Sequence, residues 1–290
     1  MTEPTFLTTR EVADLLRVKE RKVYDMAAEG TIPHRRVTGK LLFPRAEIDA
    51  WLSSGTPTAG AEAPAVVAGS HDPLLDWAIR ESGAGLATFF DGSLDGLARM
   101  REGQAGAAGL HVFEPDGKTW NIAHVRSALG DRPVVLIEWA RRQQGLILSE
   151  RVAGQIKTIA DLTGLTVAQR QPSAGAGLLF AHLMAEAGLA PGDVTMLADR
   201  AHTETEAAAA VASGKADAAP GLQAVARQFG LAFLPTRSER FDLIVDRRAW
   251  FEPPLQSLMA FARTPSFVAK AEDLGGYDLS GHGAVHWNGP

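Results

Sequence analysis

Four short polar segments of this 290-residue chain combine residue types that bind anions. Each segment follows a short apolar run and precedes an apolar helical pattern, an order that places polar groups at the carboxyl end of a strand. Hydroxyl groups and the free amides of a helix N-terminus are donors that suit an oxyanion. The segments are Ser70-His71-Asp72, Asp91-Gly92-Ser93, Ser173 to Gly177 and Thr203-Glu204.

The third segment has the clearest form. Leu165 to Ala168 is predicted as a buried strand, Arg170 adds a positive charge, and a small-residue loop leads to an apolar helix from Leu178. The loop has neither the Gly-Lys-Ser/Thr of a Walker loop nor the spacing of a dinucleotide fingerprint. The candidate ligand contacts are Ser70, His71, Asp72, Ser93, Arg170, Ser173, Ala174, Gly175, Thr203 and Glu204.

Helix capping is the alternative role for these segments, because Ser, Thr and Asp satisfy the free amides of a first helical turn. Capping explains any one of them, whereas four of them, each after a strand pattern and spread over residues 70–204, favour a ligand. Asp72 and Glu204 oppose an anion if they point towards it, unless they orient its donors.

The same residue types could also build a catalytic site or a metal site. His71, Asp72 and Ser93 form a possible hydrolytic triad, but the sequence has no Gly-x-Ser-x-Gly elbow. His71, His111, Asp72 and Glu204 are possible metal ligands, but none of them form a pair with the helical spacing of a known site. We therefore expect a protein that is not an enzyme and has neither a metal nor a cofactor. His111 is expected to be packed or capped, and His282 and His286 are expected at the surface of a glycine-rich tail.

The composition excludes some kinds of site. The chain has no cysteine, which excludes disulfides, thiolate metal ligands and a cysteine nucleophile, and its formal net charge is −5. It has no apolar run near the roughly 20 residues of a membrane span and no signal-peptide pattern, so we expect a cytoplasmic protein without a membrane partner.

Residues 1–52 have the pattern of a helix-turn-helix. Thr8 and Glu11 have the spacing of a capping box, and Val12, Leu15 and Leu16 fall on one helical face. A second helix over residues 19–29 has an apolar inner face and a basic outer face, a combination typical of DNA recognition.

A small hairpin with Thr38-Gly39 at its tip follows, and Pro44 opens a last helix in which Ile48, Trp51 and Leu52 pack inward. The candidate DNA contacts lie on the second helix and the hairpin. They are Lys19, Arg21, Lys22, Tyr24, Arg35, Arg36 and Lys40.

This order of motifs resembles the excisionase and MerR-like winged helix-turn-helix family over the whole segment. Lys19 and Lys22 stand where the family usually has Ser and Thr, and both add charge. The resemblance implies double-stranded DNA as a partner. A helical interaction module remains an alternative, because nine Lys/Arg against eight Asp/Glu give residues 1–52 a charge of only +1.

Residues 53–63 have the composition of a flexible linker, and residues 64–290 alternate strand and helix patterns. Alternation predicts a parallel sheet flanked by helices. Two such sets, with the chain leaving the first near residue 150 and returning near 240, predict two lobes and a cleft.

The particulars resemble the periplasmic-binding-protein-like type 2 domain, in the version found in cytoplasmic regulators and at the end of some molybdopterin-biosynthesis proteins. The residues that carry the resemblance include Gly69 to Asp72, Arg170 to Gly175, His202 to Glu204, Ala209 to Asp217 and Phe241 to Val245. The expected fold class is α/β, with an N-terminal winged helix-turn-helix followed by a two-lobed periplasmic-binding-protein-like (type 2) domain.

The resemblance implies a one-component transcription regulator whose effector is a small oxyanion such as molybdate or tungstate. A small organic, pterin-like ligand in the same cleft and a ligand-free interaction protein remain alternatives. Operators for such heads are usually paired half-sites, so we also expect a homodimer.

Overall fold

The computed structural model describes residues 5–37, 39–55, 63–114, 119–171, 174–190 and 192–290. The chain divides into two compact units, Met1–Glu62 and Ala63–Pro290. Thr38, Ser173 and residues 56–62 of the predicted linker lie outside the described residues. In the part of the chain that is described, no helix is long and apolar enough to cross a membrane.

The first unit is a small α/β head. Its elements are β1 (Phe6–Thr8), α1 (Thr9–Leu16), α2 (Glu20–Ala28), β2 (Arg35–Val37), β3 (Lys40–Pro44) and α3 (Arg45–Gly55). The strands form an antiparallel sheet in the order β1-β3-β2. The helix α3 extends to Gly55, so the first three residues of the predicted linker are helical.

The local signals at the start of the head act as predicted. The amide of Thr8 donates to Glu11 Oε2 at 2.7 Å and the amide of Glu11 donates to Thr8 Oγ1 at 3.3 Å, which completes the capping box. The expected face of α1 is wrong at one position, since Leu15 is 41% exposed while Val12 is fully buried. The strand β1 was not predicted, and its Leu7 joins the core beside Phe43.

The second unit contains the remaining elements. Its strands are β4 (Val66–Gly69), β5 (Ala87–Phe89), β6 (Ala107–Leu110), β7 (Val134–Leu148), β8 (Thr166–Val167), β9 (Thr195–Met196), β10 (Ala218–Leu222), β11 (Ala232–Asp246), β12 (Tyr277–Asp278) and β13 (Val285–Asn288). Its α-helices are α4 (Pro73–Glu81), α5 (Ser93–Arg101), α6 (Ile122–Leu129), α7 (Glu150–Ala153), α8 (Gly175–Glu186), α9 (Glu204–Ala212), α10 (Gln223–Gln228), α11 (Arg247–Phe251), α12 (Pro253–Phe261) and α13 (Pro265–Leu274), and a 3₁₀ helix spans Ile159–Leu162.

These strands form one curled sheet in the order β5-β4-β6-β11-β7-β10-β8-β9, with β12 and β13 also paired to β7. Parallel pairs hold β4, β5 and β6 together at one end and β8, β9 and β10 at the other. The first set and its helices form lobe 1, together with α11–α13. The second set, with α7–α10, forms lobe 2.

Two antiparallel strands of 15 residues, β7 and β11, run through both lobes. They are paired along their whole length, and opposite ends of each strand contribute to different lobes. The expectation of a parallel sheet is therefore wrong at the centre. The sequence of each strand contains two short apolar runs, because polar residues such as Arg142 and Glu239 interrupt it. These polar residues lie in the middle part of the strands, between the lobes.

The glycine-rich tail packs against lobe 1, which contradicts the expected surface position of its histidines. His286 Nε2 lies 2.7 Å from Glu138 Oε2, and His282 Nδ1 lies 2.8 Å from the carbonyl oxygen of Trp139. Both histidines are half-buried because β12 and β13 continue the sheet along β7. The sequence did not predict these strands, because a segment rich in glycine lacks the alternating apolar side chains that indicate a strand.

Candidate functional site

A buried pair of hydroxyl groups lies at the carboxyl end of β4. Ser70 Oγ is 2.8 Å from Ser93 Oγ, and the backbone amide of His111 donates to Ser93 Oγ at 3.1 Å. Ser70 is 4% exposed and Ser93 is fully buried. The structure thus brings together two of the predicted contacts, from the N-terminal ends of α4 and α5.

Close glycine contacts make this arrangement possible. A β-carbon on Gly96 of α5 would lie 2.5 Å from the α-carbon of Gly69, and the amide of Gly92 donates to the carbonyl oxygen of Gly69 at 3.0 Å. The helix α5 can therefore lie directly on the end of β4, with Ser93 beside Ser70.

Asp72 has a different role from the predicted ligand contact. Its Oδ1 accepts from the amide of Leu75 at 2.7 Å and so caps α4. Its Oδ2 accepts from Arg142 at 3.0 Å and from the hydroxyl of Tyr277 at 2.6 Å. With both oxygens engaged inside the protein and no exposed surface, Asp72 points into the interior.

Arg142 of β7 is the centre of a buried charge network that the sequence did not reveal. Its guanidinium forms ion pairs with Asp72 and Glu239 and lies 4.2 Å from the ring centroid of Phe241. Burial by itself lowers the pKa of Arg142, but the carboxylates of Glu239 and Asp72 raise that pKa overall. The guanidinium therefore stays charged in the interior.

Glu239 of β11 joins His111 to this network. Its Oε2 lies 2.9 Å from His111 Nδ1, and both side chains are almost fully buried. Burial raises the pKa of Glu239, but the neighbouring Arg142 and His111 outweigh burial and lower that pKa. An ionised Glu239 is an acceptor, so Nδ1 of His111 carries the proton in this contact.

The network continues into lobe 2 through Gln144, whose Nε2 lies 3.2 Å from Glu239 Oε1 and 3.3 Å from Glu204 Oε1. Glu204 Oε2 accepts from the amide of Leu222 at 2.8 Å. Like Asp72, Glu204 is turned into the protein and engaged there. Neither carboxylate is placed as a ligand contact.

Arg170 supports the loop that precedes α9. Its Nε donates to the carbonyl oxygen of Ala201 at 3.2 Å, and its Nη2 donates to that of His202 at 3.0 Å. Burial lowers the pKa of Arg170, with Glu204 opposing that shift. Thr203 caps α9 by accepting from the amide of Glu206 at 3.1 Å. Both predicted contacts hold this helix N-terminus in place.

The N-terminus of α8 contacts lobe 1. Ala174 and Gly175 are buried, and a β-carbon on Gly175 would lie 2.6 Å from the carbonyl oxygen of His111 and 2.9 Å from its ring. Gln171 Nε2 donates across the lobes to the carbonyl oxygen of Asp91 at 2.9 Å. Gly175 of the predicted loop therefore lies against His111, whose amide donates to Ser93. Ser173 itself lies outside the described residues.

His71 is directed elsewhere. Its Nε2 lies 4.0 Å from Asp76 Oδ2, and its ring contacts Phe90 edge-on at a centroid distance of 5.4 Å. His71 is one of the residues that line a cavity of about 590 Å³ between α4, α9, α10 and α13.

The seven predicted DNA contacts are all exposed on the head. Lys19, Arg21 and Lys22 lie at the start of α2, and Tyr24 is 51% exposed on the same helix. Arg36 and Lys40 lie on the β2–β3 hairpin. Arg35 differs from the others, because it forms an ion pair with Glu47 at 2.6 Å and its charge is partly neutralised.

The comparisons with known proteins agree with this architecture. The chain belongs to the PBP superfamily domain family, whose model matches residues 77–263. A helix-turn-helix domain model matches residues 6–56. A DNA-binding type of head and a ligand-binding type of domain define a binding protein and regulator rather than an enzyme.

Two curated proteins are similar to this chain in sequence. The uncharacterized protein YvgK of Bacillus subtilis (strain 168) is 26% identical over 309 aligned residues, which cover 98% of this chain and 99% of YvgK. An uncharacterized Clostridium pasteurianum protein from the 5′ region of the ferredoxin 2Fe-2S gene is 34% identical over 79 residues, covering 27% of this chain and 70% of that protein.

Among solved structures, the ancestral amino acid-binding protein AncCDT-1, a precursor of cyclohexadienyl dehydratase, has a TM-score of 0.49. It is 13% identical, with 72% of this chain and 93% of that chain covered.

Proposed function

We propose that this protein is a cytoplasmic transcription regulator that binds operator DNA through its head and a small oxyanion, such as molybdate or tungstate, in the cleft of its second unit. The single observation that supports an oxyanion best is the buried Ser70–Ser93 hydroxyl pair, with α8 approaching from the opposite lobe. Neutral donors at helix N-termini bind an anion without a neighbouring cation.

The charge network supports this proposal by offsetting most of the negative charge beside the cleft. Asp72 and Glu239 share the single guanidinium of Arg142, and Glu204 has Arg170 at 3.8 Å. Each carboxylate is also hydrogen-bonded within the protein, so its oxygens are already engaged by donors. An oxyanion at the hydroxyl pair would meet hydroxyls and amides.

Calorimetric titration tests the ligand. The purified full chain would be titrated with molybdate, tungstate, sulfate and phosphate. Because one hydrogen bond to a charged group contributes on the order of 1.5–3 kcal/mol, Ser70→Ala should weaken binding of the preferred anion roughly tenfold to a hundredfold. Ser257→Ala, on the exposed side of α12, is the matched control. Equal affinities of Ser70→Ala and the parent would exclude this site.

Ser173→Asp is a second test of the same cleft, although Ser173 is not among the described residues. A negative charge at this position should weaken anion binding further than Ser70→Ala does, because the sequence pattern predicts an anion-binding loop here and like charges repel. Normal anion binding by this variant would mean that the loop at residue 173 is only a turn.

DNA binding is tested by selecting sequences from a random duplex pool with the full chain. Changing Arg21 or Lys22 to Ala should weaken binding to the selected sequence, and each lost phosphate contact should reduce the salt slope by about one unit. Arg126→Ala, an exposed arginine on α6 in the second unit, is the control. If a variant without Arg21, Lys22, Arg36 and Lys40 binds normally, the DNA assignment is wrong.

A small organic ligand is the second candidate, and Gln171 favours it. Its Oε1 is buried and has no hydrogen-bond partner among the described residues. An acceptor is not satisfied by a fully ionised oxyanion, whereas an organic molecule can supply an N–H or O–H group. A pterin carboxylate in the calorimetric series, titrated into the parent and into Gln171→Leu, distinguishes the two candidates. A pterin bound at Gln171 should bind the variant more weakly, whereas a pterin bound elsewhere should not.

A further inference from the structure

A cavity of about 590 Å³ lies between the lobes, apart from the Ser70–Ser93 pair. Its lobe 1 wall comes from α4 and α13, and its lobe 2 wall comes from α9 and α10. Neither serine lines it, and neither do Ala174 and Gly175. The volume lies within the range of roughly 300–1,000 Å³ that is usual for pockets that bind small organic molecules.

The charged side chains of the wall leave one cation in excess. Of the two carboxylates that line the cavity, Asp76 lies 3.1 Å from Arg80 and Asp273 lies 3.1 Å from Lys270. Arg227 of α10 is exposed and has no ion pair within the described ranges of the chain. A ligand with one negative charge would balance the wall, and a guanidinium pairs with a planar carboxylate through two hydrogen bonds.

An indole ring forms part of the apolar surface of the same cavity. Trp77 of α4 packs against Phe261 at a centroid distance of 5.4 Å, and Lys270 Nζ lies 6.0 Å from its ring centroid. Trp77 remains half-buried, so part of its surface faces the cavity beside Ala224 and Leu274. An aromatic ring offers offset stacking to another flat ring in addition to burial of apolar area.

We propose that this cavity binds a small organic anion that carries one aromatic ring, with the ring against Trp77 and the carboxylate on Arg227. Trp77 belongs to lobe 1 and Arg227 to lobe 2, so the bound molecule would contact both lobes and favour their approach. A ligand that stabilises the closed arrangement raises the affinity for any other ligand that requires it, and the effect is reciprocal. This cavity is separate from the proposed oxyanion site, and the observations that support it do not depend on that site.

Calorimetry on the full chain tests the proposal with benzoate, indole-3-carboxylate and pterin-6-carboxylate as probes. At least one probe should show saturable binding, and its neutral carboxamide should bind about tenfold or more weakly, because the contact to Arg227 loses its charge. Arg227→Gln should produce the same loss for the carboxylate, and Arg126→Gln should not. Trp77→Leu should weaken the aromatic probe more than cyclohexanecarboxylate, because only the aromatic probe also loses ring stacking.

Molybdate titration of Arg227→Gln separates this proposal from the oxyanion site, since that variant keeps Ser70 and Ser93 and should bind molybdate as the parent does. The proposal is overturned if no aromatic probe binds at millimolar concentration. It is also overturned if Arg227→Gln, with an unchanged melting temperature, binds the probe as tightly as the parent.

Discussion

Gly175 of lobe 2 lies directly against His111 of lobe 1, so closely that a β-carbon on Gly175 would be 2.6 Å from the carbonyl oxygen of His111. Real β-carbons do not approach a backbone atom so closely, and a backbone oxygen cannot move aside as a side chain can. The approach of the two lobes therefore depends on the absence of a side chain at position 175.

Gly175→Ala should keep the lobes apart and weaken ligand binding in the cleft. We expect a larger radius of gyration by small-angle X-ray scattering and an affinity for the preferred anion that falls about tenfold or more, equivalent to one lost hydrogen bond to a charged group. Gly154→Ala is the matched control, because nothing lies within 4 Å of its β-carbon position and its φ is −73°. An unchanged scattering profile and affinity for Gly175→Ala would show that the lobes do not close at this contact.

Arg142→Met should destabilise the second unit strongly. Removing the guanidinium leaves Asp72 and Glu239 buried without their cation, which costs about 3–5 kcal/mol in the free energy of unfolding. Arg80→Met is the control, because that side chain is 67% exposed and its i,i+4 ion pair with Asp76 should contribute below about 1 kcal/mol. Denaturant unfolding measures both. Equal stabilities for the two variants would mean that the network is not important for folding.

Tyr277 should not titrate in the folded protein near pH 10. Burial and the neighbouring Asp72 raise its pKa well above the ordinary value, and its hydroxyl donates to Asp72 Oδ2. Since the folded-state pKa is raised, this group's contribution to stability is present below the unfolded pKa of about 10 and is lost as the pH rises towards the folded value.

The chain has two tyrosines, so Tyr24→Phe leaves Tyr277 as the single reporter. Tyrosinate absorbance in that variant should appear only with unfolding, measured in parallel by circular dichroism. The variant Tyr277→Phe should lose less stability than the parent between pH 9 and about 11. Reversible titration of Tyr277 near pH 10 in the folded state would contradict the buried hydrogen bond.

Lys19→Ser should stabilise α2 while weakening DNA binding. Lys19 is the N-cap residue of α2, has extended backbone geometry and makes no side-chain capping bond. Serine at this position supplies a cap that contributes about 1 kcal/mol, so amide hydrogen exchange over Glu20–Ala28 should slow. Lys19→Gln removes the same charge without the cap and separates the two effects. Tighter operator binding by Lys19→Ser would argue against a phosphate contact for Lys19.

The full chain should be a homodimer on its operator. One head with few base contacts binds weakly, and paired half-sites recruit two heads at once. Light scattering should give twice the mass of the 290-residue chain, either free or on the selected DNA. A single-chain mass that does not change when operator DNA is added would rule this out.

Local signals in the sequence were sufficient for the helices and the hairpin of the head, although not for β1, and for the ends of most elements. The Thr8–Glu11 capping box and the buried face of α2 depend on residues three or four positions apart, so both can be predicted from a short stretch of sequence. The alternating strands and helices of the two lobes were visible for the same reason. Ser70 and Ser93 could be placed near each other because each follows a strand, and parallel strands bring their carboxyl ends together; their role as ligand contacts stays a prediction.

The tertiary structure alone decided what fills the interior of the cleft. Arg142 and Glu239 lie 97 residues apart, and Tyr277 reaches Asp72 from 205 residues away, so no local pattern linked them. Their polar character instead made two long strands look like four short ones. A charged residue in a strand pattern normally marks solvent, and only a partner from a distant part of the chain makes its burial favourable. Sequence periodicity shows which face of a helix or strand is apolar. Which buried charges pair with each other depends on the tertiary structure, because the partners come from distant parts of the chain.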